Sequence, residues 1–283
     1  MIIWLASYPK SGNTYVRAFL AAYYYSESGE FDFGLLSKIK QFPDEEFFNK
    51  KIESMEHASL EWEGAQKKII EDKKIRFFKT HNCLATYNEK PFTSSKTTLG
   101  SIYIVRDPRN VFSSLKNHFS MNDEKAMKMI LDEKRGLMSD TNIYSSYSFI
   151  SSWSKNYTSW VKSNQFRRLI IKYEDLISNK YETFRDIIVF TNTLLNKTDG
   201  VNKQKLMRAI ETTNFNILKN LELKNGLDRS VTSFKKWRNI HKENKNLFFN
   251  LGPDNNWEKF LNIKTTSKIE EKFFNEMREL NYL

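Results

Sequence analysis

The chain opens on an apolar run. Residues 2–8 (IIWLASY) are short, apolar and stopped by Pro9, the pattern of a buried strand. The period then changes. Val16, Phe19, Leu20 and Tyr23 recur at helical spacing and predict a helix over 13–25. The same plan returns at 100–119 (GSIYIVRDPRNVFSSLKNHF): a strand over 101–105, a turn at Asp107–Pro108, and a helix from near Arg109. IRFFKTH (75–81) and RRLIIKYEDL (167–176) read as two more strands. Residues 30–75 are polar, helical in pattern and rich in Phe and Glu, which suits a cap or an outer layer. An amphipathic helix is predicted over 145–163, and further helices over 178–195 and 202–221. Residues 225–257 read as a long loop. The tail, 265–281, places Ile269, Phe273, Met277 and Leu280 on one helical face.

Four strands alternating with helices predict an α/β fold, with a central parallel sheet and ligands at the carboxyl ends of its strands. Residues 1–283 are expected to form one domain, with variable cap or loop segments near 24–75 and 120–148.

Charge adds a constraint. The 45 Lys and Arg exceed the 34 Asp and Glu, giving a formal net charge of +11. An anionic ligand fits this, although the lysines are scattered and most read as solvated surface. Cys83 is the only cysteine, so no intrachain disulfide can form. No apolar stretch reaches membrane-spanning length. The first residues lack a basic leader and meet Tyr8–Pro9–Lys10 at once, so a signal peptide is not expected and a cytoplasmic protein is.

The stretch YPKSGNTYVRAFL (8–20) carries the first chemistry. After a parallel strand, the backbone N–H groups around Ser11, Gly12 and Asn13 can converge on one anion, and the next helix adds its positive end. Lys10 supplies a mobile charge, Ser11 and Thr14 supply hydroxyls, and Gly12 permits close approach. The fold is therefore expected to be P-loop-like and three-layered. The G-x-x-x-x-G-K-[ST] pattern of nucleoside triphosphatases is nevertheless missing.

This segment resembles the 5′-phosphosulfate loop of the sulfotransferases that use 3′-phosphoadenosine 5′-phosphosulfate, with Asn13 for the usual Thr and Tyr15 for the common Trp. VRDPRNVFSSLKNHF (105–119) resembles the family's 3′-phosphate motif, in which Arg106 and Ser114 match the phosphate-binding Arg and Ser. In FFKTHNCL (77–84), His81 stands in the position of the family's histidine base, and Lys79 would be an auxiliary charge. A neutral imidazole suits that task, since an acceptor hydroxyl must lose a proton as it attacks sulfur. His57, His118 and His241 read as structural, and Cys83 as a wall of the acceptor pocket.

IIKYEDLISN (170–179) and the preceding SSWSKNYTSW (151–160) also resemble family segments. By that resemblance Tyr173 faces the adenine, and Tyr15 can stack on a purine. TTNFNILK (212–219) is matched to the family's Thr-Ser-Phe segment, with Thr213, Asn214 and Phe215 near the adenine, in preference to VTSFKKW (231–237). FFNLGPDNNW (248–257) keeps Gly252 and Trp257 of an Arg-Lys-Gly motif but has Asn250 and Leu251 for the basic pair. Arg229, Lys235 and Arg238 are candidate replacements.

The resemblance implies a sulfotransferase that leaves adenosine 3′,5′-bisphosphate (PAP), needs no metal, and acts on a hydroxyl of a small molecule or saccharide. Nucleic acid is not an expected partner. The acceptor walls are expected in 24–60, 84–98 and 120–148, whose region holds Tyr23, Tyr24, Tyr25, Phe31, Phe33, Tyr87, Phe92 and Tyr144, aromatics that suit a planar or sugar acceptor and that core packing explains at least as well. Two rivals remain at this stage. A P-loop kinase shares the strand–loop–helix plan but lacks its own motif. A non-catalytic nucleotide- or polyanion-binding module would not need His81.

Overall fold

The computed structural model describes residues 1–48, 50–138, 144–225 and 247–283. A five-stranded parallel sheet runs through it: β1 (Ile2–Ser7), β2 (Lys40–Gln41), β3 (Arg76–Thr80), β4 (Thr98–Val105) and β5 (Arg167–Lys172), in the order β2-β3-β1-β4-β5. All six residues of β1 are buried, as expected of a central strand covered on both faces. Its alternate side chains feed two separate cores. Ile3 and Leu5 pack with Val16 and Phe19 of α1 (Asn13–Tyr25), Phe184 of α2 (Lys180–Leu194) and Leu206 of α3 (Lys203–Thr212). Ile2, Trp4 and Ala6 pack on the other face with Trp62, Phe112, Trp153 and Phe273. The result is a three-layer, P-loop-like α/β fold.

The sheet order positions the site. The chain crosses β1 between β3 and β4, so the loops after these strands leave a crevice at their carboxyl ends. Behind the end of β4 the polypeptide is clasped by charges. Asp107 caps the helix Pro108–Phe119 by accepting from Arg109 N at 2.9 Å. The Arg109 guanidinium meets Asp107 at 2.7 Å, Glu270 at 2.6 Å and the Tyr282 carbonyl at 2.8 Å, and lies 4.0 Å over the Trp257 ring. Glu174 accepts from Asp107 N and from the Tyr282 hydroxyl, and Lys172 donates to Leu280 O.

Several elements depart from the sequence pattern. The segment 30–75 is helical over about half its length, as the short 3-10 helices Phe33–Lys38 and Glu45–Phe47 and the α-helix Met55–Ile69, but it is not only an outer layer. It supplies edge strand β2 and buried Phe31, Phe33, Leu36, Ile39 and Phe42 before its one α-helix, Met55–Ile69. The helix expected over 145–163 is confined to Trp153–Val161, because Ser151 sits at φ 58 and Ser152 caps the helix through Lys155 N. Strand β5 ends at Lys172, and Tyr173–Ser178 is a short helix. The helix expected over 202–221 breaks at Thr213–Asn214, and the tail helix breaks at Phe273. Most of the expected 225–257 loop, with VTSFKKW, Arg229, Lys235 and Arg238, lies outside the described residues.

Candidate active site

The turn after β1 is built on two left-handed residues, Lys10 at φ 67 and Gly12 at φ 96. A Cβ on Gly12 would stand 2.4 Å from the Tyr173 ring, so glycine is required by both conformation and space. Asn13 turns its amide back to Leu5 O (3.0 Å) and Ser7 Oγ (3.2 Å), tying the helix start to the strand end. Ser11 is fully buried, and its Oγ has no hydrogen-bond partner. Such an orphaned donor inside an amide-rich turn fits an anion.

A cavity of about 390 Å³ opens here. It is lined by Lys10, Gly12, Asn13, Thr14 and Tyr15 from the loop, by Lys79 near the end of β3 and by His81 just after it. Arg106 and Ser114 line it from the β4 side, Tyr173 from the β5 side, and Phe215, Asn250, Leu251 and Gly252 from late in the chain. Ser11, buried beneath the turn, and Thr213 and Asn214 are not brought to the lining. Thr213 is fully buried with its hydroxyl on Ala209 O, and Asn214 caps the following helix through Asn216 N, so both serve the helix break.

The site is electrostatically unusual. Burial first, then Arg106, lowers the Lys10 ammonium to about 7. Burial first, then Arg17 and Lys10, lowers Lys79 to about 7. Among the described residues neither lysine forms an ion pair. Lys79 donates to Gln41 at 3.1 Å, and Lys10 sits 4.5 Å over the Phe248 ring. His81 Nδ1 lies 2.8 Å from Ser7 O. A carbonyl only accepts, so Nδ1 carries the proton and the Nε2 lone pair is left for chemistry. Burial, then Lys79, pushes the imidazole well below its ordinary value, which keeps it neutral at pH 7.

Arg106 is 5 % exposed and held in a fixed pose. Its terminal nitrogens donate to Lys10 O at 3.2 Å and Gly252 O at 3.1 Å, its plane lies 4.1 Å over Tyr173, and Nε has no partner. Tyr173 is thus packed between Gly12 and Arg106. Tyr15 lines the cavity while its ring meets Phe184 edge-on at 5.3 Å.

Four contributors were missed by sequence reasoning. His118, read as structural, lines the cavity with its ring 5.7 Å from Phe248. Arg17 also lines it, and the available signal was a charge three residues beyond Thr14 in an otherwise apolar helix. Gln41 comes from a two-residue strand too short to leave a pattern. Phe248 is held in place because the buried Glu222 carboxylate accepts from Phe248 N (2.8 Å) and Phe249 N (2.9 Å). Lys219 donates to Asn250 O, steadying the segment that lacks the basic pair. By contrast, none of the eight aromatics in the region of the expected walls lines the cavity, and four of them, Tyr23, Phe31, Phe33 and Phe92, are buried in the core. From the expected wall segments come Gln41, Leu137, Met138, Ser146 and Ser148, and nothing from 84–98. Cys83 does not line the cavity. Its thiol donates to Ile150 O, and burial pushes it up to about 12. No cluster of three His, Cys, Asp or Glu side chains among the described residues could hold a metal ion, and no described helix is long and apolar enough to cross a membrane.

The family model of the sulfotransferase domain matches residues 2–281. The chain belongs to the sulfotransferase family. No curated protein sequence matches it significantly. Solved structures share the fold at low identity. Retinol dehydratase with androsterone and inactive cofactor PAP superposes with a TM-score of 0.58 at 15% identity, covering 98% of this chain and 80% of the other. Retinol dehydratase with retinol and PAP gives 0.59 at 17%, covering 98% and 81%. The mouse sulfotransferase SULT7A1 with PAP gives 0.55 at 19%, covering 98% and 84%.

Proposed function

We infer that this sulfotransferase moves a sulfuryl group from 3′-phosphoadenosine 5′-phosphosulfate to a hydroxyl of a small molecule or sugar, leaving PAP. One observation carries the reading: a neutral histidine with a free Nε2 stands among desolvated cations at the mouth of an anion-binding turn. The PAP-bound neighbours support the donor. Androsterone and retinol, both alcohols, support a small hydroxyl acceptor.

The donor supplies an activated sulfuryl group with a good leaving oxygen. The loop amides and the Ser11 and Thr14 hydroxyls would hold its 5′ side, and Arg106 and Ser114 its 3′-phosphate, with Arg106 giving up a carbonyl contact to do so. Tyr15, Tyr173 and Phe215 would bound the base, and the 250–252 backbone would close over it. His81 Nε2 takes the acceptor's proton as the oxygen attacks sulfur. Lys10 neutralises the charge that develops on the leaving oxygen, and Lys79 adds charge beside it.

Thermal shift with PAP, ATP–Mg²⁺ and heparin separates this reading from its rivals. PAP alone should stabilise the protein, and mass spectrometry should detect sulfated product from an acceptor panel. Stabilisation by ATP–Mg²⁺ and not PAP would favour a kinase. Stabilisation by heparin alone would favour a polyanion-binding module.

A further inference from the structure

The carboxyl edge of the sheet gives the cavity two ends. Lys10 follows β1, Arg106 and Ser114 follow β4, and Tyr173 follows β5. On the donor reading above, on which this inference rests, the nucleotide fills that β1–β4–β5 end. The β2–β3 end is left for the acceptor, with His81 after β3 reaching across to Ser7 at the end of β1. This acceptor end is lined by Gln41, Lys79 and Arg17.

Arg17 is the anomaly. It lies on α1, is 2 % exposed, and lines the cavity. One nitrogen donates to Leu36 O at 2.8 Å, and Nε has no partner. Among the described residues no carboxylate pairs with it. Burial alone lowers it to about 10, and its charge in turn depresses Lys79. A buried guanidinium without a counter-ion is costly, and a chain that needed only to fill this space could do so with an apolar side chain. The Leu36 carbonyl also has no need of a full charge. The cost is recovered when an anion enters beside it. The nucleotide brings such charge to Arg106, Lys10 and, beside the leaving oxygen, Lys79. Arg17 perturbs Lys79 and not Lys10, so it lies on the acceptor side of that group, and charge on the acceptor would match it.

We propose that the acceptor is an anionic hydroxyl compound, whose carboxylate or phosphate is held by Arg17 while its hydroxyl faces His81. Arg17 offers planar recognition of such a group, and Gln41 fixes the neighbouring Lys79 from the edge strand, where it serves the leaving oxygen. The apolar Phe119, Leu137 and Met138 line the rest of the cavity and can cover the acceptor's carbon skeleton.

The test uses matched acceptors that differ in charge: 4-hydroxybenzoate against 4-hydroxybenzamide, glucuronate against glucose, and glycerol phosphate against glycerol. PAP binding is measured first. In the wild-type protein the anionic member should be sulfated with at least ~10-fold higher kcat/KM, and the pairs separate carboxylate from phosphate. Arg17→Gln should abolish the preference by raising KM for the anionic member, with PAP affinity changed less than ~2-fold. Arg17→Lys should keep part of it. Equal or reversed preference in the wild type overturns the proposal, and that result needs no variant. So does an Arg17→Gln protein slowed alike on both members, which would assign Arg17 to the sulfuryl group. Failure to bind PAP would remove the donor reading and this one with it, whereas PAP binding without charge preference removes this one alone.

Discussion

The two sides of the β4 strand end use charge in opposite ways. On the back, Arg109 is matched by Asp107, Glu270 and the Tyr282 carbonyl, and Glu174 by a main-chain N–H and a hydroxyl. On the front, Lys10, Arg17, Lys79 and Arg106 line a cavity with no ion pair among the described residues. Arg106 and Arg109 are three residues apart in one motif. One closes the fold, and the other leaves Nε unpartnered beside the site. Compensated charge holds the chain together here. Uncompensated charge waits for a ligand.

The comparison can be broken by substitution. The largest effect is expected from His81→Ala, which should lower turnover by about 10²–10⁴-fold while leaving PAP affinity intact. Single-turnover rates and the thermal midpoint together decide it. A loss of stability comparable to that of a clasp variant would put His81 on the structural side. Arg109→Ala should do the reverse. It strands Asp107 and Glu270 and should cost about 3–5 kcal/mol in denaturant unfolding. If it unfolds like wild type, the clasp is not holding the tail.

Arg106→Ala should weaken PAP binding by about 1.5–3 kcal/mol by calorimetry, with a far smaller loss of stability than the Arg109 variant. Unchanged PAP affinity would place Arg106 among the struts. The smallest effect sharpens the electrostatic side. Lys10 and Lys79 stand near 7 when the site is free, and a bound phosphate raises both. The bound form then holds more protons. PAP affinity should be greatest below pH 7 and fall as pH rises through and above 7, by less than ~10-fold per unit for each proton taken up. Calorimetry at pH 8 in buffers of different ionisation enthalpy should report proton uptake. Absence of proton uptake would show that the front lysines are already charged.

How far the sequence could be read follows the same division. The loop around Lys10 and the strand ends at His81 and Arg106 were legible because one short segment carries strand, turn and donors together. Helices that needed an internal break were over-extended, because Ser151, Thr213 and Phe273 interrupt patterns whose apolar period continues across them. Gln41 was invisible, since a two-residue edge strand owes its place to pairing with β3. The aromatics of the expected wall segments could not be divided between wall and core, because core packing and pocket lining draw on the same residue types. Arg17 and His118 stood inside recognised motifs, but only the packed helices reveal that both line the cavity.

Cys83 has a practical use. Its thiol is 2 % exposed, bonded to Ile150 O, and held protonated at ordinary pH. Thiol-directed reagents attack through the thiolate, so this one should be passed over by maleimides in the folded protein. A cysteine introduced at an exposed position would then be the sole attachment point for a fluorophore or spin label, on an otherwise unaltered chain. Distances from such a probe could follow nucleotide entry directly, with no need to engineer the native thiol away.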